Sequence, residues 1–542
     1  MNARLHALVL GLVVLQANGA RADALTDAER ALVELRVEEA ERAASELLAE
    51  RPRDARVLRL AGLVRFHRGD YARAVGRLEA SLAATPQGPD DDRAMLLDLM
   101  RSTRDATQGF EESRSEDGRF VVLHAPGRDR ALVPYALEAM RRADEALRAE
   151  LGVRVPGPIR LEIFGSASEL AKVSTLTEEA IATTGTIALC KWDKLMVTSP
   201  RALLRGYPWM DTIAHEYVHL VLSRASRDHA PVWLQEGVAK FLERRWREPS
   251  ARPHLGPAME AILHRAAREN RLIAFDRIHP SIALLPSQED AALAFAQVAT
   301  FVARFYADHG AAGLQAAVAR IAEGTDARRA IAEVAGTTFE QLERRWRDDL
   351  RSAPAPEDAP RLMPRRLRGG EADEVAETSE VNENARRALR LGDLLWARRR
   401  FGAAAVEYGR AHERAPDDPI VASRLARAAI EAGDAERAVA VLEPLAERYP
   451  EHAPTQAILA RGRRMRGDES GARDAATAAI RLNPFDPMPH CDLALVERTE
   501  IARTVEADQC RLLGGEVPMP ASAPTAVPGS PPVETERPSR KE

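Results

Sequence analysis

Pro416, Pro450 and Pro484 stand 34 residues apart, and the chain ahead of each proline repeats with the same period. Small or apolar residues recur at matching offsets: Ala404, Tyr408 and Ala411, then Ala438, Leu442 and Leu445, then Ala472, Ala476 and Ala479. Earlier in each unit come Leu391-Gly392, Leu425-Ala426 and Leu459-Ala460. A period of this length, with small residues where two helices would cross, specifies helix-turn-helix units that bury their apolar faces only by stacking on neighbours. Pro52 and Pro86 share the spacing, with Gly62, Gly69, Tyr71 and Ala74 between them. About one and a half to two units therefore precede the centre of the chain and three follow it. Unrelated amphipathic helices would keep no common phase.

The repeats resemble the tetratricopeptide family, which implies all-α solenoid segments over residues 23–105 and 381–513 and a protein partner bound through them. Composition sets further bounds. The 542 residues are 45% hydrophobic and 29% charged, as in globular proteins. Lys and Arg number 77 against 82 Asp and Glu, leaving a net charge of -5, so no basic surplus points to nucleic acid. Residues 1–22, MNARLHALVLGLVVLQANGARA, join an early arginine, an apolar run from Leu8 to Leu15 and the small-x-small site Ala20-Arg21-Ala22. These are the parts of a secretory signal peptide, and the run is shorter than the ~20 residues that span a bilayer. The expectation is an exported bacterial protein, periplasmic or extracellular, without stable membrane insertion. Cys491 and Cys510 could pair in an oxidising compartment or remain free buried thiols, and Cys190 is odd in either case.

Two stretches read as breaks. Residues 352–380, Pro-rich and then acidic, are expected to form a linker, and residues 514–542 a disordered tail. Between the solenoid segments, residues 110–351 open with alternating or β-branched runs at 119–125, 159–165 and 185–199. Helical patterns occupy 131–151, 209–225, 231–246 and 290–309. Strands early and helices late predict an α+β domain.

Within that domain lies HEYVH, residues 215–219. On a helix His215 and His219 sit about 6 Å apart along the axis with their rings on one face, placed to share a Zn2+ ion. Glu216 is beside them, able to take a proton from water and deliver it to a leaving amine. With 13 histidines in the chain, chance yields roughly 0.03 matches to this pattern, so two unrelated core histidines are a poor account of it.

HEYVH, the following WLQEG (233–237) and the run GTIALCKWDKLMVTSP (185–200) together resemble the peptidase MA-like, or gluzincin, metallopeptidases over about residues 110–350. The resemblance implies a zincin-like α+β fold. It implies zinc held by His215, His219 and Glu236, and Glu216 as the general base that activates a zinc-bound water against peptide bonds. It also implies an edge strand in 185–199 that aligns an extended peptide or protein substrate.

One position departs from the family pattern. An acid four residues after the third ligand frequently holds a ligand histidine there; here that position is Lys240. Asp211, one turn before His215, could supply the carboxylate instead or could merely be a helix N-terminal charge. A third histidine ligand six residues after His219 is absent, because Ala225 stands there. His229 falls in a polar turn, and a helix begun at Pro231 is expected to carry Glu243 and Glu248 away from the metal. Gly237 should let that helix approach the motif helix closely. Tyr217, His229 and Tyr306 are the candidate oxyanion stabilisers by chemistry alone. His124, His254, His264 and His279 show no ligand spacing. The alternative to a peptidase is a repeat scaffold that keeps the zinc site without turnover, and Lys240 is the feature that sustains it.

Overall fold

The computed structural model describes residues 24–86, 88, 91–249, 252–278, 281–354, 359–368, 377 and 381–517. The expected signal peptide (1–22), His279 and most of the expected tail lie outside the described residues. The described part is mostly helical, with one small mixed sheet.

Five helices come first: α1 (Ala24–Val33), α2 (Val37–Glu50), α3 (Ala55–His67), α4 (Tyr71–Ala84) and α5 (Arg93–Ala106). Asp54 and Asp70 cap α3 and α4 by accepting from backbone N–H groups of the first turn, which would otherwise go unpaired. Then come β1 (Glu111–Arg114), β2 (Phe120–His124), α6 (Val133–Leu151), β3 (Ile159–Phe164), α7 (Ala167–Lys172), α8 (Glu178–Thr184), β4 (Ala188–Lys191) and β5 (Lys194–Thr198). Six helices follow: α9 (Trp209–Ala225), α10 (Val232–Leu242), α11 (Pro257–Arg268), α12 (Gln288–Ala322), α13 (Ala327–Ala335) and α14 (Phe339–Ser352). The C-terminal series is α15 (Glu383–Ala397), α16 (Phe401–Arg414), α17 (Pro419–Glu431), α18 (Ala435–Arg448), α19 (Ala453–Met465), α20 (Glu469–Leu482), α21 (Pro487–Val496) and α22 (Glu500–Leu512).

The strand order is β1-β2-β3-β5-β4. β2, β3 and β5 run parallel, while β1 and β4 lie antiparallel on the two edges. Alternation sorts the side chains. Phe120, Val122, Leu161, Ile163, Leu195 and Val197 enter the main core with α6, α9, α10 and α12. Phe164 and Met196 point to the other face, against α7 and α8. The run 185–199 is thus two strands, not one: Trp192 and Asp193, both with positive φ, turn the chain into a hairpin. The pattern at 290–309 belongs to a longer element, because α12 continues past a kink at Gly310, φ 63°.

The 34-residue phase corresponds to antiparallel helical pairs, with Pro416, Pro450 and Pro484 in the turns between pairs. Gly392 of α15 lies under the Tyr408 ring of α16, where a Cβ would come within 2.4 Å of the ring. Cys491 and Cys510 form a disulfide between α21 and α22.

The solenoid does not hang free. Trp209 Nε1 donates to Ile480 O at 3.1 Å, and Tyr207 N donates to Leu482 O at 2.9 Å. Gly206, φ 71°, sits where a Cβ would meet Leu482 O at 2.1 Å, so the close approach needs glycine. The expected linker also differs in its described part. Residues 359–368 are not a free spacer: Leu203 and Leu367 form an antiparallel bridge, and Leu362 and Leu367 pack on the main core. Apolar leucines among the prolines and arginines explain the difference.

Candidate metal centre

The motif helix α9 starts after Pro208, whose fixed φ suits a helix entry, and it is apolar on nearly every side. Such a helix belongs inside the protein, and His215 and Glu216 are only 8% and 5% exposed. α10 begins after Pro231 and packs alongside α9. Contacts descend α9 as they ascend α10: Gln235 meets His219, Glu243 meets His215, and Arg247 meets Asp211. The two helices therefore run antiparallel.

This register brings three of the expected residues to one point. His215 Nε2 and His219 Nε2 are 3.2 Å apart, and each lies 3.4 Å from Glu236 Oε2. Among the described residues these three form the one cluster able to hold a metal ion. Burial alone would push Glu236 up, but His219 and His215 hold it down at about 2. For His215, burial acts downward, and the Glu236 and Glu243 carboxylates bonded to it outweigh this and push it up to about 10. The pocket therefore favours positive charge among its nitrogens, which a proton or a metal cation can supply.

Glu216 is the fourth expected residue. Burial pushes its carboxyl up, the two histidines pull it down, and Glu236 adds to the rise, with the net shift upward. The edge strand β4 is nearby: behind the larger effect of burial, Glu216 helps to push the Cys190 thiol up.

The carboxylate behind His215 is not where the sequence suggested. Glu243, expected to be carried away from the metal, accepts from His215 Nδ1 at 3.2 Å and from Lys240 Nζ. The helix expected over 231–246 ends at Leu242, with Glu243 at its C-cap. Glu236 and Glu243 are also seven residues apart, two turns of helix on one face, and that spacing was the available signal. The partner of His215 Nδ1 is Glu243 and not Asp211. Asp211 is buried and accepts from Arg244, Trp246 and Arg247, anchoring the turn after α10. Gln235 lies 3.3 Å from His219 Nδ1 and is bonded to Ser223, a partner that sequence reasoning missed.

Gly237 is also reassigned. A Cβ there would meet Val298 O and Val302 at 2.8 Å, so the close approach is to α12, not to the motif helix. The three candidate oxyanion stabilisers are engaged elsewhere. Tyr217 donates to Asp144, Tyr306 donates to Glu150, and His229 Nδ1 bonds Ile321 O. His124 Nδ1 bonds Ala125 O, His264 Nδ1 bonds Leu350 O, and neither joins the cluster. His254 lines a separate arginine-rich cavity of about 170 Å3.

Residues 139–352 match the Peptidase MA superfamily, and residues 395–462 match the tetratricopeptide repeat. The chain thus carries a Peptidase MA superfamily domain beside tetratricopeptide repeats. A comparison with curated proteins finds none that matches. Among solved structures, a thermophilic tetratricopeptide-repeat protein of Thermus thermophilus is 24% identical, covering 24% of this chain and 72% of its own, with a TM-score of 0.22. The APC/C hetero-tetramer Cut9-Hcn1 is 14% identical, with 92% and 94% covered and a TM-score of 0.23. Yeast Tom70 is 10% identical, with 91% and 84% covered and a TM-score of 0.21. Scores this low leave those likenesses without consequence for this chain. Among the described residues no helix is long and apolar enough to cross a membrane.

Proposed function

We propose that the chain is an exported zinc metallopeptidase with a zincin-like catalytic domain at about 110–351, whose flanking repeats bind a protein partner or the substrate. One observation carries this reading: the triangle of donor atoms with sides of 3.2, 3.4 and 3.4 Å. Four ligands placed tetrahedrally around zinc at ~2.0–2.1 Å stand about 3.3–3.4 Å from one another, so the donor set fits the ion. Two imidazoles and one carboxylate also leave a fourth position, as catalytic zinc sites do.

Zinc bound there would polarise a peptide carbonyl and make water acidic near neutral pH. The rest falls to the chain's own residues. His215, His219 and Glu236 hold the ion, with Glu243 fixing the His215 ring through Nδ1 and Gln235 beside the His219 ring. Glu216, buried and raised above the usual carboxylate range, takes the proton from water and passes it to the leaving amine. The outer edge of β4 supports an extended peptide by backbone pairing. Lys240, the feature that sustains the scaffold alternative, donates to Glu243 behind His215, which supports the peptidase reading. Export is supported by the disulfide between Cys491 and Cys510, since such bonds persist in oxidising compartments.

The test is peptide turnover by the zinc-loaded full chain beside Glu216→Gln, with zinc content measured in both. A loss of ~10²–10⁴-fold with zinc retained is expected when a general acid–base is removed. Equal turnover in the two proteins would sink the assignment, and no turnover in either would favour the scaffold.

A further inference from the structure

The N-terminal helices meet the β4–β5 hairpin, which packs on the motif helix α9. The Trp192 ring at the β4–β5 turn meets Phe66 of α3 edge-on, with centroids 5.3 Å apart. Lys194, the next residue but one, is fully buried. Its Nζ donates to Tyr71 of α4, lies 4.3 Å from the centre of that ring and 4.6 Å from that of Phe66, and stands 3.5 Å from Glu162 of β3. A buried ammonium is costly unless paired, so the side chains around Lys194 hold the turn in one place.

Arg224 ties the same turn to the motif helix. It lies in the last turn of α9, five residues after His219. Its Nε and Nη2 donate to the Asp193 carboxylate at 2.8 and 2.6 Å. Its Nη1 and Nη2 donate to Glu38 of α2 at 2.8 and 3.3 Å. One guanidinium thus joins the helix that carries the histidines, the tip of the edge hairpin and the N-terminal unit. The planar fork makes this possible, because a single ammonium cannot serve two carboxylates in this way.

β4 has four residues and pairs only with β5. Among the described residues its outer edge has no backbone partner. An edge strand this short takes its position from whatever holds its ends. We propose that Arg224 is a positioning residue and that α2–α4 belong to the peptide-binding apparatus: through Glu38, Phe66 and Tyr71 they keep the free edge of β4 in register with the candidate metal site. The ligand is an extended peptide, and the inference rests on the peptidase reading.

The experiment uses the zinc-loaded full chain and Arg224→Lys, which keeps the charge and loses the fork. Amide hydrogen exchange over residues 188–198 should quicken by about five-fold or more, a readout that needs no turnover. In a Glu216→Gln background, affinity for a labelled extended hexapeptide should fall about 5- to 30-fold, equivalent to 1–2 kcal/mol. In the active protein KM should rise by a similar factor while kcat changes less, and zinc affinity should match that of the wild type. Glu38→Gln should shift both measures in the same direction by a smaller factor. Exchange at the wild-type rate overturns the lock. Faster exchange with unchanged peptide affinity overturns the positioning role. A wild type that cleaves nothing overturns the peptidase reading instead, while exchange and peptide binding still decide the lock.

Discussion

His215 donates from Nδ1 to Glu243 Oε2 across 3.2 Å, and its Nε2 is thereby turned toward His219 and Glu236. A carboxylate in this position fixes the tautomer and the ring plane and makes the liganding nitrogen more basic. Burial acts upward on Glu243, but Lys240 and His215 together hold it down at about 2, so the carboxylate is ionised throughout the working range. Glu243→Ala should therefore lower zinc affinity by ~10- to 100-fold. Glu243→Gln, which keeps an acceptor oxygen without the charge, should fall between. Titration against a chromophoric chelator checks this, and an Ala variant that binds like wild type would remove Glu243 from the centre.

Glu236→Ala should lower zinc affinity more than Glu243→Ala does, since it removes a donor atom and the anion that favours a cation between the imidazoles. His229→Ala should leave affinity unaltered, because that ring bonds Ile321 O in a loop. The same titration separates the two. Metal loss in the His229 variant would break the proposed ligand set.

Acid should destabilise the fold through two buried histidines outside the candidate metal cluster. Burial pushes His67 down to about 3, with Lys194 and Arg224 adding to the effect, and it pushes His452 down to about 3, with Arg205 and Arg361 adding. Each folded value lies below the unfolded one of about 6.5, so the unfolded chain takes up the proton first. The stability tied to each neutral ring is complete above about pH 6.5 and is lost as pH falls toward 3. At about pH 5 the loss is of the order of 2 kcal/mol for each. Urea midpoints at about pH 7.5 and pH 5 measure it. His67→Gln and His452→Gln should flatten the difference, and variants that keep the full wild-type difference would contradict the account.

Cutting the chain between residues 369 and 380 should not part the solenoid from the domain in native buffer. The Trp209 indole, the Tyr207 amide and the Tyr135 hydroxyl, which donates to Glu506 at 3.1 Å, all cross between the two. Size-exclusion chromatography after cleavage should show one peak containing both fragments. Separate peaks without denaturant would show the contact to be weak.

Legibility followed the length and periodicity of the elements. α9 was readable over 209–225 because a buried helix is a continuous apolar run, bounded here by Pro208 and the polar residues after Ala225. β1 was not, because Glu111–Arg114 has no alternation and owes its strand to pairing with β2. The three residues of the candidate metal cluster were legible from the HEYVH motif and from the family resemblance around WLQEG. Glu243 was set aside because the helix begun at Pro231 was expected to carry it away from the metal, although its same-face spacing from Glu236 pointed back to His215. The grip of Tyr71 and Phe66 on Lys194 leaves no sequence trace, since more than 120 residues separate the partners and only the fold brings them together.

Gly206, Tyr207 and Trp209 meet the solenoid at main-chain oxygens, those of Ile480 and Leu482. A carbonyl is present whatever side chain its residue carries. Substitution along α20 therefore leaves these acceptors in place as long as the helix ends at the same point, whereas a side chain added at Gly206 cannot be accommodated from the other side. Tolerance at this joint is one-sided: side chains along α20 can vary around the two carbonyls while the segment leading into the motif helix must stay as it is.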